Sequence, residues 1–308
     1  MSVLRAALRD YISMRRGLGY KFVQPEVRLR GFVSFMDERG AGIVTRKLAL
    51  KWAMQPVGRR ASWSLRLADV RGFAQYLCNI DSRHERPPSG ILPWPSRCEP
   101  YLYTEREIRA LMAAAFALRP SKALRRWTYH CLFGLLAVTG IRISEALNLR
   151  REDADLTTGI LTIRDSKFGK SRLIPVHRTT RSALRRYAQR RDAHLDPPKS
   201  PYFFVGERGG RLVLQNVYAV FWRLSRQIGL RSASDHTGPR LHDFRHGFAV
   251  RTLLNGYRSG QQIELLLPVL STYLGHAYVR DTYWYLSACP ELLGHAAGRL
   301  EKHWEGAP

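Results

Sequence analysis

The sequence predicts a mainly α-helical fold with a small β-hairpin, an α+β chain divided into two domains. Three observations favour this assignment. Apolar residues recur at helical spacing along most of the 308 residues, one segment alternates in strand fashion around a glycine, and a proline-rich stretch interrupts the helical pattern near residue 90. A chain of this length is also long enough to build two ordinary domains, each with its own core.

The first predicted domain, residues 1–85, is entirely helical. Amphipathic patterns cover residues 2–16, 26–38, 46–54 and 62–79. A linker follows over residues 86–103, within and beyond the stretch "RHERPPSGILPWPSRCEP". Its prolines forbid a continuous helix and favour an extended, semi-rigid spacer; they are Pro87, Pro88, Pro93, Pro95 and Pro100.

The second predicted domain, residues 104–308, opens with a capping box. Thr104 and Glu107 stand at the spacing that begins a helix, directly before the apolar run "IRALMAAAF". The segment "GILTIRDSKFGKSRLIPVH" alternates around a turn near Gly169 and predicts a β-hairpin, and "YFFVGERGG" predicts a short strand and turn. Helical patterns fill the rest, at residues 122–137, 179–194, 215–228, 242–255, 261–274 and 280–287.

The charge of the chain indicates a polyanionic partner. Fifty Lys and Arg residues oppose 25 Asp and Glu, a net charge of +25. Residues 1–100 hold 18 basic and 8 acidic side chains, a balance of +10 that leaves +15 for the remainder. Both parts are basic, with the charge interspersed among apolar residues, so we expect a folded nucleic-acid-binding protein, not a basic tail.

Cysteine usage and the absence of apolar runs predict a cytoplasmic protein. The four cysteines lie far apart without a C-x-x-C pair, which indicates neither a zinc site nor a disulfide framework. Arginines interrupt the apolar residues of the N-terminal segment, and no apolar run reaches membrane-spanning length, so we expect no signal peptide and no membrane partner.

Four separated segments of the second domain carry side chains suited to phosphate chemistry. They are Arg142 in "TGIRISE", Lys167 in "DSKFGKSR", His242 and Arg245 in "LHDFRHGFA", and His276 and Tyr285 in "LGHAYVRDTYWY". Each has an ordinary explanation when taken alone. Arg142 and Glu145 could be an exposed helix ion pair, Lys167 a solvated lysine at a hairpin tip, and the tyrosines aromatic packing.

In their order and spacing, these segments resemble the tyrosine recombinases, also called phage integrases. The resemblance covers nearly the whole chain and is strongest from about residue 104 to 290. It implies a helical core-binding domain and a catalytic integrase domain that close around double-stranded DNA as a two-domain clamp. From Leu292 onwards, apolar residues at helical spacing form a C-terminal stripe. This stripe could complete the domain's own core or dock on a neighbouring subunit.

The chemistry explains why the family uses these residue types together. Direct attack on a phosphodiester adds negative charge to the nonbridging oxygens, and preorganised donors stabilise that charge. The resemblance implies that Arg142 and Arg245 clamp the scissile phosphate. It implies that His242 adds a hydrogen bond and handles the proton of the nucleophile, while His276 supports the phosphate and Glu145 orients Arg142.

The resemblance also assigns the leaving group and the nucleophile. Lys167 would protonate the departing 5′-oxygen, with Lys170 as the alternative across the turn. Tyr285 stands nine residues after His276, as the family nucleophile does, whereas Tyr278 and Tyr283 are the competing tyrosines. A free phenol has a pKa of ~10, so its reactivity would depend on the positive cluster beside it.

The function implied is site-specific DNA recombination through a 3′-phosphotyrosyl intermediate and a Holliday junction. We expect a tetramer on DNA, of identical or related recombinase subunits, that needs no metal ion and no other cofactor, since neither a carboxylate cluster nor a "GxxxxGK" loop is present. The sequence leaves two alternatives, a type IB topoisomerase and a non-catalytic DNA-binding accessory or regulator. Departures from the compact members favour a mobile-element recombinase.

Overall fold

The chain consists of two compact units, Met1–Cys98 and Glu99–Pro308. The computed structural model describes residues 2–55, 60–94, 99–166, 169–197, 200–232, 238–287 and 289–305. The architecture is mainly helical with one small antiparallel sheet, which confirms the predicted fold class. No helix in these ranges combines the length and the apolarity that crossing a membrane requires.

In its described residues, the first unit contains four α-helices and a short 3₁₀ turn at Arg60–Ser62. The helices are α1 (Val3–Gly17), α2 (Val23–Asp37), α3 (Arg46–Ala53) and α4 (Trp63–Cys78). They bury one core in which the rings of Phe32 and Trp52 lie 5.2 Å apart. Each helix was predicted to within three residues, because its apolar stripe faces this core.

The beginning of the predicted linker packs on the first unit. The Arg71 guanidinium donates hydrogen bonds to the carbonyls of Pro87 at 3.0 Å and Pro88 at 3.1 Å. The Glu85 amide donates to the carbonyl of Val44 at 2.7 Å. The prolines do exclude helix here, but their carbonyls remain acceptors, and the arginine uses them to hold the segment against α4.

The second unit begins with α5 (Glu105–Phe116), α6 (Leu124–Thr139) and the short helix α7 (Ile143–Asn148). The predicted capping box is confirmed, with the Glu107 amide donating to Thr104 Oγ1 at 3.2 Å and the Thr104 amide to Glu107 Oε2 at 2.8 Å. The sequence patterns missed α7, because six residues are too few to show helical periodicity.

Three antiparallel strands form the sheet in the order β1 (Ala154–Asp155), β2 (Ile160–Ile163) and β3 (Arg172–Pro175). The β2–β3 pair is the predicted hairpin, and Arg172 pairs with Ile163 in its register. The sequence patterns did not predict β1. The predicted strand of "YFFVGERGG" is reduced to isolated bridges, in which Tyr202 pairs with Arg150 and Val205 with Arg211.

Six helices complete the part of the second unit that the structure describes. They are α8 (Arg178–His194), α9 (Leu214–Gln227), α10 (Asp243–Arg258), α11 (Ile263–Leu274), α12 (Arg280–Ser287) and α13 (Pro290–Glu305). α10 connects the two cores of this unit: Phe244 belongs to the core shared with α5 to α9 and the sheet, whereas Leu253 belongs to the core shared with α11 to α13.

The start of the C-terminal helix packs on its own chain. Leu292 is fully buried in the core of α10 to α13. Glu291 pairs with Arg258 at 2.6 Å, and the His295 ring stacks on Tyr257 at 5.6 Å. Of the two alternatives for the C-terminal stripe, this part of α13 therefore follows the one in which it completes its own core.

Candidate active site

Arginine side chains converge on the C-terminal end of α11. Three successive carbonyls there each accept a hydrogen bond from a different arginine: Tyr273 from Arg172 Nε at 2.7 Å, Leu274 from Arg245 Nη2 at 2.6 Å, and Gly275 from Arg142 Nη2 at 3.0 Å. The last carbonyls of a helix lack helical partners and carry partial negative charge, so they attract cations. This helix end gathers side chains from three distant segments.

Arg142 enters the cluster from the turn between α6 and α7. Its Nη1 donates to Glu145 Oε1 at 2.8 Å and its backbone amide to Glu145 Oε2 at 2.9 Å. The two side chains are only 19% and 4% exposed. The pair is therefore not the solvated helix ion pair that its i,i+3 spacing also allowed.

Arg172 completes the partners of Glu145. Its Nη1 donates to Oε1 at 3.0 Å and its Nη2 to Oε2 at 2.8 Å, a bidentate pair. Burial by itself would raise the pKa of the Glu145 carboxyl, but the bonds and charge of Arg172, with those of Arg142, outweigh it and hold that pKa below its ordinary value. The carboxylate stays ionised between the two guanidiniums.

Arg245, in the first turn of α10, is 2% exposed. Its Nη1 donates to the Gly140 carbonyl at 3.0 Å, so it spans the end of α6 and the end of α11. Burial, followed by the nearby charge of Arg142, lowers the pKa of Arg245 to about 10, which still leaves it protonated at neutral pH. A buried cation that hydrogen-bonds to carbonyls contributes uncompensated positive charge to the site.

Two predicted histidines stand beside these arginines in neutral form. Burial, and then the charge of Arg245, lowers the pKa of His276 to about 4 and lowers that of His242 as well. His276 Nδ1 lies 2.7 Å from the hydroxyl of Thr282, which is fully buried on α12. This contact fixes the imidazole ring where the chain leaves α11.

Tyr285 lies on the inner face of α12 and is 2% exposed. Its hydroxyl is 3.3 Å from His246 Nδ1, and its ring stacks near that of His276, with centroids 6.1 Å apart. The competing tyrosines point outwards, since Tyr283 is 52% and Tyr278 60% exposed. Of the three, Tyr285 is the one placed among the histidines.

The structure thus brings together Arg142, Glu145, His242, Arg245, His276 and Tyr285. Lys167 lies outside the described residues. Its alternative, Lys170, has an exposed side chain, and its carbonyl accepts a hydrogen bond from the Ser166 amide at 3.0 Å at the hairpin end. Within the described ranges, no group of three or more His, Cys, Asp or Glu side chains could hold a metal ion.

Comparison with known proteins decides the family. The model of the phage integrase family matches residues 102–291, more than half of the chain. The chain belongs to the phage integrase family. A putative integrase/recombinase of Sinorhizobium fredii, y4rB, is 48% identical over 99% of both chains, and tyrosine recombinase XerD of Mycobacterium tuberculosis is 29% identical over 90% of both. This phage integrase family member is a tyrosine-type recombinase, as the resemblance predicted.

Solved structures share the fold of this phage integrase family member. The Tn1549 transposon integrase in complex with transposon right end DNA has a TM-score of 0.68 at 16% identity, over 96% of this chain and 98% of that one. XerH site-specific recombinase bound to a palindromic difH substrate has a TM-score of 0.62 at 20% identity, over 91% and 79%. At these identities the likeness concerns the fold.

Sequence reasoning missed two members of the cluster in this phage integrase family member. His246 follows Arg245 and lies four residues after His242, so the helical spacing that puts both imidazoles on one face of α10 could have found it. Arg172 carried no such signal, because it lies on β3, 27 positions after its partner Glu145. Only the folded hairpin brings the two together.

Proposed function

We propose that this chain is a site-specific DNA recombinase that cuts and rejoins strands through a covalent bond between Tyr285 and a 3′-phosphate. The observation that carries the proposal is the charge around α11. Arg142, Arg172 and Arg245 gather there, and in the described part of the chain Glu145 is the carboxylate that pairs with them. Three guanidiniums against one carboxylate leave a positive site beside a tyrosine, which suits a phosphate.

The first step forms a bond between Tyr285 Oη and the scissile phosphorus and breaks the bond from phosphorus to the 5′-oxygen. Arg142 and Arg245 neutralise the charge that develops on the nonbridging oxygens. His242 and His276, as neutral imidazoles, donate hydrogen bonds to the same phosphate. The proton of the phenol passes to an imidazole as the new bond forms.

The leaving 5′-oxygen takes a proton from the hairpin lysine, for which we retain Lys167. Rejoining reverses the step. A 5′-hydroxyl, from the same or from another duplex, attacks the phosphorus and gives its proton to the hairpin lysine. The bond from phosphorus to Tyr285 Oη breaks, and the phenol recovers its proton from the imidazole. The bond energy is kept in the covalent link, so exchange needs no ATP. Two successive exchanges between two duplexes, carried out by a tetramer, pass through a Holliday junction.

The burial of Tyr285 sets a condition for this reaction. Its hydroxyl faces His246, and the residue is closed off from solvent. A phosphate can reach the oxygen only after α12 shifts. We therefore assign α12 as the element that adjusts when DNA binds, while the arginines stay anchored to the end of α11.

One neighbour supports a mobile-element role, and two support DNA as the partner. The Tn1549 integrase is solved with transposon end DNA, and XerH with its difH substrate. A chain with a net charge of +25 is suited to the same kind of partner. We place the reaction in the cytoplasm of a prokaryotic cell, on nucleoid-associated DNA.

The test replaces the nucleophile and keeps its neighbour as a matched control. Genomic DNA bound by the protein is recovered and sequenced, and the site is rebuilt as a nicked suicide substrate that traps the cut state. Tyr285→Phe should bind this DNA yet form no covalent protein–DNA adduct, whereas Tyr283→Phe, altered at an exposed phenol, should form it normally. Adduct formation by Tyr285→Phe would remove Tyr285 from its role.

The adduct assay, together with assays of plasmid relaxation and strand exchange, separates the alternatives. A type IB topoisomerase would relax supercoiled plasmid without any preferred site, and would not exchange strands between duplexes. An accessory protein would bind DNA but form no adduct in its unmodified form. Strand exchange between two marked duplexes that carry the recovered site is the outcome expected of a recombinase.

A further inference from the structure

We propose that Arg172 is a positioning residue of the recombination reaction, which orients Arg142 towards the scissile phosphate through Glu145. The inference rests on the proposed function, because it concerns the phosphate that Arg142 would bind. It adds to the site a residue from β3 whose side chain donates hydrogen bonds to Glu145 and to the Tyr273 carbonyl.

The first observation is the arrangement around Glu145. Each carboxylate oxygen accepts one hydrogen bond from Arg142 and one from Arg172: Oε1 from the Nη1 atoms at 2.8 and 3.0 Å, Oε2 from the Arg142 amide at 2.9 Å and from Arg172 Nη2 at 2.8 Å. A carboxylate has about four acceptor sites, so these bonds satisfy it. Its orientation is set by both arginines together.

The second observation is that each of the three guanidinium nitrogens of Arg172 donates a hydrogen bond within the protein. Its Nη atoms bond to Glu145 and its Nε to the Tyr273 carbonyl, and the side chain is only 9% exposed. Arg142 is more open, at 19%, and uses one Nη on Glu145 and the other on the Gly275 carbonyl. Arg142 is therefore the better placed of the two to contact the phosphate, and Arg172 to hold Glu145 in position.

The third observation is the close packing of Arg172 against Gly275. A Cβ on Gly275 would lie 2.9 Å from Arg172 Nη1 and 3.1 Å from its Cζ. The glycine also has φ +69°, in the left-handed region that ends α11. The guanidinium therefore lies directly against the helix end that also receives Arg142 and Arg245, and it ties the hairpin strand β3 to that end.

Loss of Arg172 would leave Glu145 buried with half of its partners. Such a carboxylate attracts other donors, and Arg142 already lies within hydrogen-bond distance of both of its oxygens. Arg142 would turn from the phosphate towards Glu145. A displacement of about 1 Å at a catalytic group can cost roughly 100-fold in rate.

The test uses two forms of the recovered DNA site, one with the natural scissile phosphate and one with a methylphosphonate in its place. The methyl group replaces a nonbridging oxygen and removes its charge, so cleavage depends less on guanidiniums. Arg172→Met should cleave the natural site about 100-fold more slowly than the unmodified protein. On the methylphosphonate the two proteins should differ by about 10-fold or less.

Two further variants keep the test decisive. Arg164→Met removes an exposed arginine that precedes the same hairpin turn and pairs with Asp153. It should leave unchanged the ratio of the cleavage rate on the natural site to the rate on the methylphosphonate. If Arg172→Met does not fold, Arg172→Lys replaces it, because lysine retains the charge but cannot form the bidentate pair with Glu145. Its cleavage rate should likewise differ more from that of the unmodified protein on the natural site than on the methylphosphonate.

The outcomes separate this inference from the proposed function. Cleavage of the natural site by Arg172→Met at the unmodified rate overturns the inference and leaves the proposed function intact. An equal loss on both substrates, in a folded variant, also overturns it, because a purely structural defect does not distinguish a charged phosphate from a neutral one. Absence of cleavage by the unmodified protein overturns the proposed function and the inference with it.

Discussion

Burial controls the protonation of individual side chains in the candidate active site. Arg245 remains a cation at 2% exposure because its pKa, although lowered, stays at about 10. The same burial, with the charges of Arg245 and Arg142, pushes the pKa of His276 to about 4. The site therefore holds charged guanidiniums and neutral imidazoles together at neutral pH, the combination that phosphate binding and proton transfer require.

Acidification should destabilise the DNA-free protein through His276. In the unfolded chain the imidazole has its ordinary pKa of 6.5, whereas in the folded chain the pKa is about 4. The folded state thus binds fewer protons between these values, so the stability that is present above pH 6.5 is lost as pH falls towards 4. The lowered pKa of His242 acts in the same direction.

The measurement is thermal unfolding at pH 7.5 and pH 5, for the unmodified protein and for His276→Gln. The unmodified protein should lose more of its melting temperature on acidification than the variant does, because the variant lacks the imidazole. An equal loss in both proteins would show that the pKa of His276 is not lowered by folding.

The sequence allowed us to predict a residue of the site only where the order and spacing of the motifs identified it. Arg142, His242, Arg245, His276 and Tyr285 were named from motif order, and the fold brings them together. That fold also places Arg172 and His246 in the cluster, and these were not named. A hydrogen bond between β3 and α7 depends on the register of the hairpin, which no local pattern in the sequence encodes.

The ends of helices, more than their middles, build the site. α6 ends at Gly140 and α11 at Gly275, both with positive φ, and the carbonyls at these ends hold Arg245 between them. The amphipathic patterns predicted both helices, because their stripes face the cores. The patterns did not predict what the terminal carbonyls bind, since that depends on distant side chains.

Gly140→Ala should destabilise the second unit more than Gly260→Ala does. Both glycines have left-handed φ, +60° and +72°, so each alanine incurs a strain of the order of 1 kcal/mol. At Gly140 the new Cβ would also lie 2.7 Å from Phe248 Cδ1, and such overpacking adds about 1–3 kcal/mol. At Gly260 no atom lies within 4 Å of the new Cβ.

Denaturant unfolding of both variants measures the difference. A common loss of stability in the two variants would mean that Phe248 moves aside at little cost. The cleavage assay adds a second reading, because displacement of the Gly140 carbonyl removes one anchor of Arg245 and should slow cleavage in Gly140→Ala alone.

Charge acts on the whole molecule. Both parts of the sequence are basic, +10 for residues 1–100 and +15 beyond, so phosphate contacts are expected along the whole chain. Such contacts release counterions when DNA binds. They provide affinity for any duplex, while the choice of a site depends on contacts with bases that charge does not determine.

DNA affinity should therefore fall steeply with salt. With six or more phosphate contacts, the dissociation constant should rise by about 10³-fold or more between 50 and 200 mM salt. Titration of labelled duplex at several salt concentrations measures the slope, with a random duplex as the control that should show a similar one. Binding that is indifferent to salt would contradict a role for this charge.

At the scale of the molecule, the sequence predicted the fold class. The proline-rich stretch indicated where the helical pattern breaks, and the division of the structure into two units falls between positions 98 and 99, inside the predicted linker of residues 86–103. It could not predict that Arg71 holds the start of this linker on the first unit. That contact uses proline carbonyls, which composition reveals only as helix breakers.

The groups that would bind and attack the phosphate are spread along the chain from Arg142 to Tyr285, and the proposed nucleophile is the last of them. During translation, the segments that carry the arginines leave the ribosome before α12 has been synthesised. An interrupted translation product, or a fragment that a protease has cut before α12, therefore lacks the phenol entirely. Such fragments could still occupy DNA, but they could never leave a break in it.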